Sequence, residues 1–246
     1  MFNYLKKHPF AVEAFFESSL VLTYAAPKEV LSKLIPECLV VDSLNDKWGF
    51  IAVAMVQTRG LRPKGFPAFL GNDFFLTGFR VFVRYTNASG KRLRGLYILK
   101  SETNKKKMEI LGNIFTKYNY TTTDISVSKN NNLIKISSDK SKFDIEVETG
   151  APAIPLPESS PFTDWKEARK FAGPLPFTFT YDPIEEEVLI IEGVRENWDP
   201  QPVKVNRADI SFIQNLRLPE CILANAFIIQ NIPYYWKKGK TEKWQH

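Results

Sequence analysis

The chain has 246 residues, of which 44% are hydrophobic and 13% aromatic, so it can bury a substantial core and is not a disordered protein. Its 33 basic and 27 acidic side chains give a net charge of +6, a mild excess that permits an anionic partner without requiring nucleic acid. No stretch reaches the ~18 uncharged apolar residues of a membrane span, and Glu13 and Glu17 interrupt the N-terminal apolar stretch before it reaches the length of a signal-peptide core. The composition therefore predicts a cytoplasmic protein whose two cysteines, Cys38 and Cys221, are free thiols.

The first half of the chain predicts short helices between strands. Residues 26–36 predict a helix that Pro36 ends, because proline is tolerated only in a first helical turn. The nearly continuous apolar run at 48–56 predicts a strand that is buried on both faces. Residues 74–85 and 93–99 flank a turn at 87–90 and predict a hairpin. Residues 104–115 carry apolar side chains at helical spacing and predict a second helix.

The second half is richer in strands. Three alternating segments at 125–128, 133–138 and 143–148 predict a meander with one solvated face. Prolines make residues 150–161 a rigid loop, and Asp164 and Glu167 have the capping-box spacing of a helix over 164–171. Further strands are predicted at 177–181, 188–192, 203–212 and 223–235. Because no linker separates the strands, we predict a single α+β, mostly β domain over residues 1–246.

The C-terminal segment mixes aromatic and basic residues, as membrane-surface and nucleic-acid binding segments do. An adaptor that works through this segment is one functional class that the sequence permits. We favour a plainer interpretation, a final strand that ends at Trp236 and is followed by a solvated basic tail. Removing residues 237–246 should then leave folding intact.

The residues of several common catalytic sites are missing. His8 and His246 are the only histidines, so a Ser–His–Asp triad and a multi-histidine metal site lack their parts. There is no GxxxxGK[ST] loop and no GxGxxG turn to hold a nucleotide phosphate. We therefore predict no metal and no cofactor. The lysine run at 105–107 fits an exposed helix entrance better than a desolvated Schiff-base pair.

Several local patterns resemble a known family. They include Pro27-x-Glu29-x-Leu31 ahead of Pro36, the 48–51 strand, Gly60-Leu61-Arg62-Pro63, the 78–83 strand and the closing 232–236 segment. In this order they resemble the YqjF-like family of uncharacterised bacterial proteins, which is placed in the acetoacetate-decarboxylase-like superfamily. The resemblance covers nearly the whole chain. It implies a β-cone or closed barrel with a small-molecule cavity and a few short peripheral helices.

The resemblance also shows what this chain has lost. In acetoacetate decarboxylase a pair of lysines follows the helix, and one of them forms a Schiff base with the keto acid. Matching on Phe115 puts Asn119 and Tyr120 at the positions of that pair, with Lys117 two places early. The YqjF-like strand usually carries an acidic residue and an asparagine before its arginine, whereas Leu76 and Gly78 precede Arg80 here. The Schiff-base nucleophile is therefore expected to be absent.

These observations favour a binding protein that holds a small molecule, with a carboxylate as one option, in a cavity. The predicted ligand-binding residues are Arg80, Tyr97, Tyr118 and Asn119. The alternative is a lyase-type enzyme that acts on a small keto acid through Lys100 or Lys117.

Strand geometry predicts the face of the sheet from which the Arg80 side chain projects. Alternate side chains of a strand share a face, so Gly78, Arg80, Phe82 and Arg84 point one way. If the opposite face of this strand packs against an outer layer, the guanidinium of Arg80 points into the cavity, where it needs an anionic partner.

Overall fold

Strands dominate the part of the chain that the structure, a computed structural model, describes: residues 4–151, 153–173 and 175–244. His246 and Pro152 lie outside these ranges. The strands are β1 Val12–Pro27, β2 Val40–Val41, β3 Trp48–Pro63, β4 Asn72–Thr86, β5 Arg92–Thr103, β6 Tyr120–Thr122, β7 Ser126–Asn130, β8 Leu133–Ser138, β9 Phe143–Glu148, β10 Phe177–Asp182, β11 Glu187–Arg195, β12 Gln201–Pro202, β13 Lys204–Ile210, β14 Ile222–Trp236 and β15 Lys240–Lys243. The α-helices are α1 Lys28–Leu31, α2 Lys106–Phe115, α3 Trp165–Ala172 and α4 Ser211–Asn215.

Seven of the described strands close into a barrel-like ring in the order β14, β1, β3, β4, β5, β10, β11 and back to β14. Neighbours are antiparallel except β5 and β10, which run parallel. Long ladders join β1 to β3 and β14, whereas three residue pairs join β5 to β10 and three join β11 to β14. The predicted β-rich, closed architecture is confirmed.

Both faces of the ring are buried, which explains the continuous apolar run in β3. Ile51, Val53 and Met55 point outward into the main hydrophobic cluster, while Ala52 and Ala54 point inward. Alternation along the pleat produces the two sets. Because the inward residues are small, they leave free volume inside the ring.

A second sheet, in the order β13–β9–β8–β7, covers the outer face of the ring. Ile136, Ile145 and Val147 of this sheet join Val53 and Val81 of the ring in one cluster. The predicted three-strand meander is confirmed, and β13 adds a fourth strand to it. The prediction of one domain over residues 1–246 agrees with this shared cluster and stays a prediction.

The helices follow the sequence signals closely. In α3 the Asp164 side chain accepts a hydrogen bond of 2.7 Å from the Glu167 backbone N–H, which is the predicted N-terminal cap. The predicted helix over 26–36 is shorter, with α1 followed by a 3-10 turn over Ser32–Leu34. The strand predicted over 203–212 ends at Ile210, where α4 begins.

One strand was not predicted, and the prediction for the C-terminal segment was wrong. The long strand β1 was not predicted, because its charged residues at Glu13 and Glu17 break the alternation at the N-terminal end. The segment after Trp236 is not a solvated tail, since β15 pairs with β11 and the carboxylate of Glu242 accepts a bond of 2.9 Å from Ala88 N–H. Removing residues 237–246 would therefore remove a strand that pairs with β11 of the ring.

None of the helices described is both long and apolar enough to cross a membrane. Cys38 and Cys221 are both free.

Candidate ligand-binding site

A cavity of about 580 Å³ occupies the interior of the ring. Strands β1, β3, β4, β5 and β14 form its walls, and α2 covers one side. Most of the lining is apolar, with Val56, Phe74 and Phe82 among the contributors. The charged side chains among the described lining residues are all basic: Arg62, Arg80, Lys107 and Arg195. A lining that contains cations but no carboxylate favours an anionic occupant.

Arg80 lies in the middle of β4 and faces the cavity, as pleat geometry predicts. Its guanidinium forms no hydrogen bond and no ion pair with any described residue, and its Nε is fully buried without a partner. Burial lowers the pKa of Arg80 from its ordinary value, and the nearby Arg195 lowers it further. A buried cation without a partner is costly, so a site of this kind calls for an anion.

Small residues make room for this guanidinium. The side chain of Arg80 folds over Gly78, where an added Cβ would lie 2.8 Å from Nε and 2.9 Å from Nη2. Ala54 is opposite Gly78 and Ala52 is opposite Arg80 in the β3–β4 ladder. The local sequence thus provides a recess in which the arginine head lies against the sheet.

Arg195 supplies a second cation at the β11–β14 seam. Its Nη2 donates a hydrogen bond of 2.9 Å to the Leu175 carbonyl, and its Nε is buried without a partner. The guanidinium lies over the rings of Trp198 at 4.5 Å and Tyr234 at 5.2 Å from their centroids. These aromatic contacts orient the group without neutralising its charge.

Buried tyrosines add neutral hydrogen-bond donors to the same cavity. Burial raises the pKa of Tyr120 to about 12, and it also raises the pKa of Tyr118, whose hydroxyl is buried without a hydrogen-bond partner among the described residues. Both phenols are therefore protonated at neutral pH. Both tyrosines line the same cavity as Arg80. Together, guanidinium and phenol groups form a set suited to carboxylate or another oxyanion.

Two of the four predicted site residues line the cavity, and two do not. Arg80 and Tyr118 do. Tyr97 packs against the main cluster on the outer face, because its neighbours Leu96 and Ile98 take the inward positions of β5. Asn119 is exposed and has a φ of 52°, in a turn whose flanking tyrosines point inward. The placements of Tyr97 and Asn119 exclude them from the site that we propose below.

Neither lysine of the alternative hypothesis lines the cavity. A bulge at Leu99 shifts the register, so that Phe79 pairs with Lys100 while Arg80 pairs with Ile98. The bulge turns Ser101 inward and Lys100 outward, where its Nζ lies 2.6 Å from the Glu102 carboxylate.

Lys117 is held elsewhere by an ion pair of 2.5 Å with Asp182. Of the run at 105–107, Lys107 reaches the cavity lining, and it does so as an exposed residue at the helix entrance that the sequence predicts.

Sequence reasoning missed Arg195 and Tyr234. They pair with each other in the β11–β14 ladder, 39 positions apart in the chain, and only closure of the ring brings them to Arg80. A usable signal existed at Gly193, which shares a face with Arg195. An added Cβ at Gly193 would collide with the Tyr234 hydroxyl, so the glycine is required by the tyrosine.

His8 gives the cavity a pH-dependent neighbour. Its Nδ1 lies 2.8 Å from the Phe10 carbonyl oxygen, and the side chain is buried. Burial lowers the pKa of His8 from 6.5 to about 4. The imidazole is therefore neutral in the folded protein at neutral pH.

We expect His8 to make the protein less stable in mild acid. Between about pH 6.5 and 4 the unfolded chain binds a proton at His8 that the folded chain does not. The free energy of unfolding is therefore unaffected by His8 above about pH 6.5 and falls as the pH drops from there to about 4. The expected loss at about pH 4.5 is roughly 2–3 kcal/mol. Urea unfolding of wild type and His8→Asn at about pH 7 and pH 4.5 measures it. Equal pH dependence in the two proteins would contradict the assignment.

Solved structures similar to this one define its fold. Acetoacetate decarboxylase from Legionella pneumophila subsp. pneumophila str. Philadelphia 1 has a TM-score of 0.63 at 11% identity, over 95% of this chain and 88% of that chain. An acetoacetate decarboxylase-like enzyme from Sphingomonas wittichii RW1 has a TM-score of 0.58 at 9% identity, over 95% and 93%. The enduracididine biosynthesis enzyme MppR, complexed with the condensation product of pyruvate and imidazole 4-carboxaldehyde, has a TM-score of 0.52 at 8% identity, over 95% and 87%. The chain thus has the acetoacetate-decarboxylase-like fold.

The family is defined by sequence. Residues 14–234 match the DUF2071 family, described as uncharacterized conserved proteins, and the chain belongs to that family. No curated protein matches the sequence significantly. The predicted membership of an uncharacterised family with the acetoacetate-decarboxylase-like fold is confirmed.

Proposed function

We propose that this protein binds a small organic anion, with a carboxylate as the best chemical match, noncovalently in the ring cavity. The observation that carries the proposal is the guanidinium of Arg80, which faces the cavity with its Nε fully buried and has no partner among the described residues. A carboxylate accepts two parallel hydrogen bonds from such a group and neutralises its charge. Arg195, Tyr118 and Tyr120 complete the polar end of the site.

The remaining cavity favours an apolar body on the ligand. A volume of about 580 Å³ falls within the range of small-molecule sites. Phe74, Leu76 and Phe82 follow Asn72 along the inward face of β4, so the walls around the cationic end are apolar. We therefore favour aliphatic or aromatic monocarboxylates over highly polar metabolites.

Calorimetric titration tests the proposal with hexanoate and benzoate as probes and with hexanol and benzyl alcohol as uncharged controls. We expect the carboxylates to bind and the alcohols to bind at least about tenfold more weakly, because charge-assisted hydrogen bonds contribute more than neutral ones. Equal affinity for acids and alcohols would contradict the role of Arg80.

The second candidate is a lyase-type enzyme for a small keto acid, which the fold neighbours favour. It requires a lysine that reaches the substrate, whereas Lys100 and Lys117 are paired with carboxylates away from the cavity lining. Borohydride reduction in the presence of acetoacetate or pyruvate, followed by peptide mass spectrometry, separates the two functions. A reduced adduct on any lysine, including Lys107 at the cavity lining, would establish the enzyme and overturn the binder.

Gly78→Ala tests the position of the arginine head without removing its charge. The new methyl group would lie against Nε and Nη2 of Arg80, so the flexible end of the side chain must move from its recess. We expect a folded protein with weaker hexanoate binding, since the bidentate geometry is lost. Ala208→Gly on β13 removes a methyl group outside the cavity lining and serves as the control, with hexanoate binding close to that of wild type.

A further inference from the structure

The cavity opens between two exposed segments, the loop at residues 64–71 and the beginning of α2. Phe66, Leu70 and Lys107 all line the cavity, and all three are exposed to solvent. Residues that belong to both the cavity and the outer surface mark its opening.

This opening carries exposed apolar side chains. Phe69, at the tip of the loop, is 84% exposed, and Phe66 is 52% exposed. Leu70 and, one turn after Lys107, Ile110 are also exposed. A concentration of large apolar groups at a cavity opening is unusual for a surface that contacts only water.

Basic side chains flank these apolar groups. Lys105 and Lys107 are exposed and form no ion pair with a described residue, and Lys64 lies over the Tyr235 ring at 4.2 Å. Two carboxylates on the adjoining elements are engaged, Glu109 of α2 with Lys106 at 2.5 Å and Asp73 of β4 with Arg59 at 2.9 Å. We call this set the mouth surface: Lys64, Phe66, Phe69, Leu70, Lys105, Lys107 and Ile110.

We propose that the mouth surface docks on an anionic lipid bilayer, so that the cavity opens toward the membrane. Aromatic and aliphatic side chains insert at the boundary between headgroups and acyl chains, and lysines beside them are attracted to the negative leaflet. A second copy of this chain fits less well, because symmetric contact would bring the same lysines together. Docking does not depend on which ligand the cavity holds, so its test is independent of the proposed function.

The test is co-sedimentation of the full chain with phosphatidylcholine vesicles in which about a third of the lipid is phosphatidylserine. We expect Phe69→Ser to weaken binding about tenfold, the loss typical of one buried phenylalanine. The charge variant Lys105→Glu with Lys107→Glu should weaken it about 30-fold or more and reduce its salt dependence, with Lys64 left in place.

Two matched controls keep the test specific. Ile184 is 89% exposed in the β10–β11 turn, so Ile184→Ser removes an equally exposed apolar group from another surface. Lys166→Glu with Lys170→Glu on α3 changes the net charge by the same amount as the mouth variant. Both controls should bind vesicles like wild type.

The proposal is overturned if wild type binds phosphatidylserine vesicles no better than pure phosphatidylcholine, or if the controls lose as much affinity as the mouth variants. A dimer in light-scattering chromatography that Phe69→Ser dissociates would overturn it in favour of a second copy. Circular dichroism confirms that each variant is folded. Failure here with intact hexanoate binding would leave the proposed function unchanged.

Discussion

Arg80→Met is expected to weaken carboxylate binding by about 2–5 kcal/mol while the protein keeps its stability or gains up to about 4 kcal/mol. The guanidinium has no partner among the described residues and its Nε is fully buried, so the unliganded protein bears part of the desolvation of a charge that nothing in the described chain neutralises. Methionine fills similar space and removes that cost. In the liganded protein the same substitution removes the group that neutralises the carboxylate.

The measurements are urea unfolding of the unliganded proteins and calorimetric titration with hexanoate. Arg195 remains in the variant, so residual affinity is expected rather than none. A large loss of stability would mean that Arg80 has a structural role. Unchanged hexanoate affinity in a well-folded variant would remove the arginine from the site.

The double variant Arg84→Met with Arg94→Met is expected to lose about 3–5 kcal/mol of stability. Both guanidinia contact Asp42, at 2.5 and 2.7 Å, and this carboxylate is 0% exposed. Removing both partners leaves an uncompensated charge in the core, which is the costly way to break a buried ion pair. The same kind of substitution thus has opposite effects at two positions on one face of β4.

Adding Asp42→Asn to the double variant provides the control. The amide removes the buried charge, so part of the lost stability should return even though one more native residue is gone. If the triple variant is as unstable as the double variant, the loss came from the packing of the arginine stems rather than from the charge of Asp42.

Arg80 and Arg84 show which features of the site could be predicted from the sequence. Pleat alternation puts Arg80 and Arg84 on the same face of β4, and Arg80 does line the cavity. Alternation could not show that Arg84 has a carboxylate partner and that Arg80 has none among the described residues. The partner of Arg84, Asp42, lies next to β2, which pairs with β4 through only two residues. Local alternation gives a direction, whereas the partner depends on long-range pairing.

The bulge in β5 is a second feature that could not be predicted from the sequence. A strict period of two places Lys100 on the same face as Ile98, inside the cavity and available for chemistry. One extra residue at Leu99 reverses the faces beyond it, so Ser101 lines the cavity and Lys100 does not. No local turn signal in the sequence predicts this extra residue. Because of the shift in register, the cavity receives the hydroxyl of Ser101 and not the amine of Lys100.

The β-rich fold could be predicted because most segments alternate clearly and the hairpin and cap signals are local. The strand β1 was missed because its N-terminal half carries glutamates whose partners, Arg62 and Arg59, lie on the neighbouring strand β3. Those charges resemble a break in the strand until the ladder is known. Arg195 was missed for a related reason, since ring closure alone brings it to the cavity.

The ladder between β1 and β14 also determines when the ring can close during folding. Val12 pairs with Trp236 and Ala25 with Ile222, so β1 can form this ladder only after β14, about two hundred positions later, has been synthesised. Contacts with such sequence separation make folding slow. While the chain is being synthesised, β1 and β3 can pair, but β1 keeps an open, apolar edge until β14 leaves the ribosome. That edge is the expected site for chaperone binding or for aggregation of the nascent protein.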